Sequence, residues 1–167
     1  MSVKIIGIMA ATSEGVVGKG NNLPWCYKDE LEHFKSVTKN HAVVIGRKSF
    51  AIAPPNIFID RMPIVFSRNH PLKTDINYIS MSCIEDFIVL IKSFYRQKIF
   101  MIGGAEIAHL FLKANIITEF LLTKIHKPYQ GDIYLNLEFF NGWTENTLYS
   151  NLNYSIIKLK NPKIAED

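Results

Sequence analysis

Four stretches of this chain are almost wholly apolar and only strand-long: Val3 to Ala11, Ala42 to Ile45, Ile64 to Phe66 and Ile99 to Ile102. A strand wetted on one side alternates in polarity, so a run without alternation must be covered on both faces. Parallel strands need long crossovers, usually helical, and helical patterns lie between these runs. Leu31, Phe34 and Thr38 share one side of a segment starting near Lys28. Ile84, Phe87, Ile88, Ile91 and Tyr95 follow helical spacing, with Ser82 and Glu85 set as a capping box at the start. Ile107, Leu110 and Phe111 mark a third helix after Gly103-Gly104. Later, Glu119–Ile125 and Tyr154–Lys160 alternate, as strands nearer a sheet edge do. The pattern predicts an α/β protein with a mostly parallel sheet and an antiparallel finish.

With 167 residues, 48% of them hydrophobic and 20% charged, the chain suits one domain with a substantial core, and global disorder is excluded. The expected domain spans 1–161, with 162–167 a frayed tail and Ala53-Pro54-Pro55-Asn56 a turn. No apolar run reaches the roughly 20 residues of a membrane span, and no secretory signal pattern opens the chain. Cys26 and Cys83 read as reduced thiols, so the expected location is the cytoplasm. Five dispersed histidines show no metal-ligand spacing, so no metal is expected. The net charge of +4 comes from scattered lysines and arginines. That scatter disfavours a nucleic-acid stripe and suits a small anionic ligand. A monomer is the default expectation.

Three strand ends carry phosphate-friendly residues. Gly46-Arg47-Lys48-Ser49 follows one buried run and opens a helix, although Arg47 separates Gly46 from Lys48 and a Walker loop fails. Ile102-Gly103-Gly104-Ala105-Glu106 follows a second, where glycines allow close backbone approach. Ser67-Arg68 follows a third. Each alone is equally a solvated turn. Together they point to one extended ligand across one sheet edge. Glu30, with Leu31 and Phe34 as neighbours, reads either as a solvated first-turn acid or as a carboxylate in an apolar cleft, able to hold a cationic heterocycle and assist protonation.

Taken together, Gly15-Val-Val-Gly18, Leu23-Pro24-Trp25, Glu30-Leu31, Phe34-Lys35, Val43 to Phe50, Arg61, Ser67-Arg68, Ile102 to Ile107, Thr123 and Gly131-Asp132 resemble the dihydrofolate reductase family, from about Val3 to Tyr154. The resemblance implies a single-domain α/β fold: a mostly parallel eight-stranded sheet with flanking helices and an antiparallel C-terminal strand pair. It implies NADPH-dependent reduction of 7,8-dihydrofolate to tetrahydrofolate. Glu30 would bind the pteridine and promote N5 protonation, with Thr123 supporting the acid and Leu23 and Trp25 completing the catalytic set. Ile8, Met9, Leu31, Phe34, Lys35, Ala53, Phe58 and Ile102 would line the substrate slot, and Arg61 would clamp the glutamate α-carboxylate. Ala10, Val17, Gly18, Asn21, Leu23 and Ile102 would surround the nicotinamide. Gly46, Arg47, Lys48 and Ser49 would meet one side of the pyrophosphate. Gly103, Gly104, Ala105, Glu106, Ile107 and Ala108 would meet the other, with Ser67 and Arg68 on the 2′-phosphate. Ser13 to Leu23 would form a mobile lid.

The sequence departs from the family pattern at several positions. Ala108 stands where Tyr is usual, which predicts a roomier nicotinamide pocket. Ile59 stands where Pro is usual, Leu135-Asn136 replaces a Phe-Pro pair, and the Pro54-Pro55 stretch holds a one-residue insertion. Two alternatives remain at this point: the related NADPH-dependent pyrimidinone reductase, and a weakly active folate- or nucleotide-binding protein.

Overall fold

The computed structural model describes residues 3–68, 72–94 and 97–164. In chain order the first half comprises β1 (Lys4–Thr12), β2 (Val16–Gly18), α1 (Lys28–Thr38), β3 (Ala42–Gly46), α2 (Arg47–Ile52), a 3₁₀ turn (Pro55–Phe58), β4 (Met62–Phe66) and β5 (Ile79–Met81). The second comprises α3 (Ile84–Ile91), β6 (Lys98–Gly103), α4 (Ala105–Lys113), β7 (Glu119–Ile125), β8 (Ile133–Tyr134), a 3₁₀ turn (Leu137–Phe140), β9 (Thr144–Ser150) and β10 (Tyr154–Lys160). Eight strands form one sheet in the order β5-β4-β3-β6-β1-β7-β10-β9, and β2 pairs with β8 apart from it. The five pairings from β5 to β7 are parallel; β7–β10 and β10–β9 are antiparallel. This is the expected mixed sheet, with β6 seated between β3 and β1.

The apolar runs are covered on both faces, as their lack of alternation requires. On one face Ile6 and Ile8 of β1, Val43 and Ile45 of β3 and Phe100 of β6 pack with Phe34 and Val37 of α1 and Phe50 of α2. On the other, Ile5, Val44, Ile64 and Met101 pack with Phe87 of α3 and Phe111 of α4. A third cluster at the β7–β10 side joins Val16, Trp25, Ile125, Tyr154 and Ile156. Among the described residues, no helix is long and apolar enough to cross a membrane.

One local expectation needs correction. The capping box at α3 is not formed: Cys83 is the N-cap and no side chain caps the helix. The α3 pattern stops at Ile91, and Tyr95 lies outside the described residues. The expected tail starts at Pro162, next to a residue that is tied into the fold. Buried Asn161 donates to Asn115 Oδ1 and Ile117 O, and accepts from the backbone N–H groups of Lys163 and Ile164. Residues 165–167 lie outside the described residues. The Pro54-Pro55 stretch leads into a 3₁₀ turn, with Pro55 in its first turn, where proline's fixed φ and missing N–H are tolerated.

Candidate active site

Because β4, β3 and β6 are parallel neighbours, their carboxyl ends lie side by side, and all three phosphate-friendly segments meet there. Gly46 pairs with Phe66, and Ile45 with Gly103. A Cβ on Gly46 would stand 2.8 Å from Ile107 Cγ1, and one on Gly104 2.9 Å from Ser49 Oγ, so the glycine turn is pressed against the start of α2. Gly103 has φ +111°, a backbone state that L side chains rarely adopt. Arg47 and Lys48 project into solvent beside this turn. Arg68 Nη2 lies 3.5 Å from Glu106 Oε1, with both side chains exposed. Exposed cations around a side-chain-free backbone cradle suit a polyanion.

Next to this edge lies the apolar slot. Ile8 and Phe58 belong to one packed cluster that Phe34, Ala53 and Ile102 extend toward the surface. Glu30, Phe34 and Val37 fall on one stripe of α1 by helical spacing, and Phe34 and Val37 face the sheet. Glu30 therefore begins the stripe, where the slot opens. It is half-buried, and burial raises its carboxyl above the usual carboxylate range. Leu31 beside it is 43% exposed, an apolar side chain left at the mouth. Thr123 is buried opposite Ala10 on the same face of the sheet as Ile8. Among the described residues no direct hydrogen bond joins it to Glu30.

Arg61 closes the far end. Its Nε donates to Thr38 Oγ1 (2.8 Å), Nη1 to Ile59 O (2.6 Å) and Nη2 to Lys35 O. A guanidinium has five N–H groups, so among the described residues each Nη keeps one N–H without a partner. Burial holds its pKa somewhat below the usual value, yet an arginine stays charged at any working pH.

The segment expected to be a lid is tied down at several points. β2 pairs with β8, Leu135 N–H donates to Gly15 O (2.8 Å), and Gly20 N–H donates to Asp132 Oδ1 (2.8 Å). Within it Asn21 and Leu23 are exposed; just past it Trp25 is 5% exposed, and among the described residues its Nε1 has no partner. A buried donor left unpaired is costly and marks a place for a ligand or a water.

Some expected site residues have side chains that turn away from the slot. The side chains of Met9 and Val17 belong to the cluster that includes α4, because alternation along β1 turns Met9 away from Ile8; Met9 Cε lies under Gly103. Phe58 is buried against Phe50, ring centroids 5.0 Å apart. It backs the slot wall, and half-buried Ile57 is the neighbour nearer the surface. Ala108 has no exposed surface and packs with Phe111, so its alanine leaves no roomier pocket: the core has closed around it. Ala105 is buried in the same cluster. A group that sequence reasoning missed is the tyrosine set Tyr27, Tyr129 and Tyr154 around Trp25, residues far apart in the chain with no shared local pattern.

The dihydrofolate reductase family profile matches residues 4–152. A dihydrofolate reductase from Mycoplasma genitalium is 32% identical over 137 residues, covering 80% of this chain and 84% of that protein. A putative dihydrofolate reductase from Caenorhabditis elegans is 36% identical, covering 77% and 75%, and one from Staphylococcus haemolyticus is 32% identical, covering 86% and 82%. A solved structure, Enterococcus faecalis dihydrofolate reductase complexed with NADP(H) and RAB-propyl, superposes with a TM-score of 0.78 at 21% identity, covering 94% and 95%. It shares the fold.

Proposed function

This chain belongs to the dihydrofolate reductase family, and from that premise we propose that it reduces 7,8-dihydrofolate to tetrahydrofolate with NADPH, with Glu30 assisting protonation. The observation that carries the reading is Glu30 itself: one half-buried carboxyl, its pKa raised by burial, at the mouth of an apolar slot beside a glycine cradle. A flat apolar heterocycle with amino and ring N–H donors fits that acid, and a nicotinamide dinucleotide phosphate fits the cradle and its cations.

When bound, NADPH supplies the hydride, so the protein need contribute only alignment, dryness and a proton. Gly103, Gly104 and Ser49 would meet the pyrophosphate, with Arg47 and Lys48 as countercharge. Arg68 would release Glu106 for the 2′-phosphate. Glu30 would accept hydrogen bonds from the pteridine's amino and ring N–H groups. A carboxyl whose pKa is raised by burial is the stronger base, and it would help a proton pass through water toward N5. The two remaining Nη donors of Arg61 would take the glutamate α-carboxylate bidentately. Trp25 Nε1 would find its partner in bound water or ligand. The test is direct: purified protein with dihydrofolate consumes NADPH, followed by loss of its absorbance, and yields tetrahydrofolate. Binding of both ligands without turnover would overturn the reading.

A further inference from the structure

The lid, Trp25 and the start of α1 form one continuous stretch, and each needs a fixed seat. Tyr27 is the N-cap of α1, yet its side chain does not cap the helix. Its hydroxyl lies 3.1 Å from the Tyr129 hydroxyl, and its ring rests on Tyr154 at 5.8 Å. That hydrogen bond pushes the Tyr27 phenol above its ordinary range. The Tyr129 ring in turn lies 5.8 Å from Trp25, and Lys127 Nζ sits 5.4 Å from its centroid. Tyr129 stands in the β7–β8 connection, which is anchored at both ends. His126 bonds Asn153, Leu152 and Ser155 on one side, and Asp132 bonds Gly18 and Gly20 on the other.

We infer that Tyr129 is a positioning residue for the reaction: through its hydroxyl on Tyr27 and its ring on Trp25, it holds the start of the acid-bearing helix and the indole in one register with the loop that anchors the lid. The inference deepens the reading proposed above and rests on it for its kinetic consequence. A misplacement of either seat is felt at the reacting atoms, because transfer rates depend steeply on approach geometry. The structural part, a latch between two segments far apart in sequence, stands on the hydrogen bond and ring contacts alone.

The test uses Tyr27→Phe, Tyr129→Phe and the double variant, each removing oxygen atoms and no ring. One hydrogen bond is lost in all three. Each single variant should slow single-turnover NADPH oxidation at saturating ligands by roughly three- to tenfold, the span of one net hydrogen bond. The double variant should be no slower than either single. The Michaelis constant for dihydrofolate should stay within about twofold, since no ligand contact is removed. In a Trp143→Phe background, where Trp25 is the one remaining indole, each single variant should shift Trp25 emission to the red, again without addition in the double. Parent-like rates and emission in both singles overturn the inference, as do additive losses. If the parent itself does not turn over dihydrofolate, the functional reading fails, and the emission cycle still decides the latch: a shared shift upholds it and an unchanged spectrum removes it.

Discussion

Glu30 costs the fold something whenever it is charged. Burial lifts its carboxyl above the value of about 4.3 that it has in the unfolded chain. The native state then favours the neutral form more than the unfolded chain does. Its stabilising contribution is complete below the unfolded pKa and is lost as pH rises through the folded one. Glu30→Gln should therefore raise the unfolding temperature at pH 7–8 relative to the parent, with the gap closing toward pH 4. The same change should slow turnover at neutral pH by about 10²–10⁴-fold, partly recovered in acid, where substrate arrives protonated. Turnover and thermal unfolding on the same two samples check both halves, and a parent-like rate at pH 7 would remove Glu30 from the chemistry. Arg61 has a double duty. Three of its donors bind Thr38, Ile59 and Lys35, so Arg61→Lys should cost stability of about 1.5–3 kcal/mol as well as raise the Michaelis constant for dihydrofolate. A pteridine lacking the glutamate tail should bind nearly as before; equal weakening of both ligands would restrict Arg61 to its structural role. Both residues stand out in sequence, one as an acid among apolar neighbours and the other by family position. Ala108 was different. What an alanine means depends on whether space was left around it, and that was set by how α4 packs on the sheet.

At the scale of elements, the three phosphate-friendly strand ends were legible one at a time, and their convergence followed from parallel pairing. Arg68 tests it. Its partner Glu106 is exposed, so that ion pair holds it weakly, and a phosphate makes a stronger charge-assisted partner. NADPH should be preferred over NADH by about ten- to a hundredfold, and Arg68→Ala should erase most of that ratio, measured as kcat/KM for the two cofactors. The lid's tether is harder to read from sequence, because β2 and β8 are three and two residues long, too short for any periodicity to register. A neighbouring tie is pH-dependent. His109 Nε2 accepts from Asn136 N–H at 3.0 Å, the ring stacks on Phe139, and an open cavity of about 470 Å³ adjoins it, lined by Ser13, Glu14, Tyr134 and Glu138 among others. Desolvation, then Lys113, lowers its pKa, and protonation would turn the acceptor into a donor. This group stabilises fully above the unfolded value of about 6.5 and loses that contribution as pH falls through the folded one. Asn136 amide exchange, corrected for its intrinsic pH dependence, should lose protection between pH 7 and 5 in the parent. In His109→Gln that pH dependence should vanish.

Across the whole molecule, the buried runs announced a covered parallel sheet, and β7 and β10 appear with the predicted bounds. Strand order was not legible, since nothing local tells a strand which neighbour it will have. β9 was missed because every residue in it is exposed, which removes the alternation that marks a half-buried strand. One consequence of that order concerns synthesis. Of the sheet's strands β1 leaves the ribosome first, and it is flanked in the finished sheet by β6 and β7, so it waits for every element from β2 to α3 before either neighbour exists. β3 and β4 pair early, but they cannot join β1 until β6 fills the place between them. The antiparallel seal on β7 is β10, the last strand of this sheet to be translated. The sheet therefore closes only after β10 has been made, and until then the unpaired edges of β1 and β3 stay open for a nascent-chain chaperone to cover. Arrest-peptide measurements should register a strong pulling force only once Lys160 has cleared the exit tunnel, and an earlier force peak would mean that the first strands settle without their central partner.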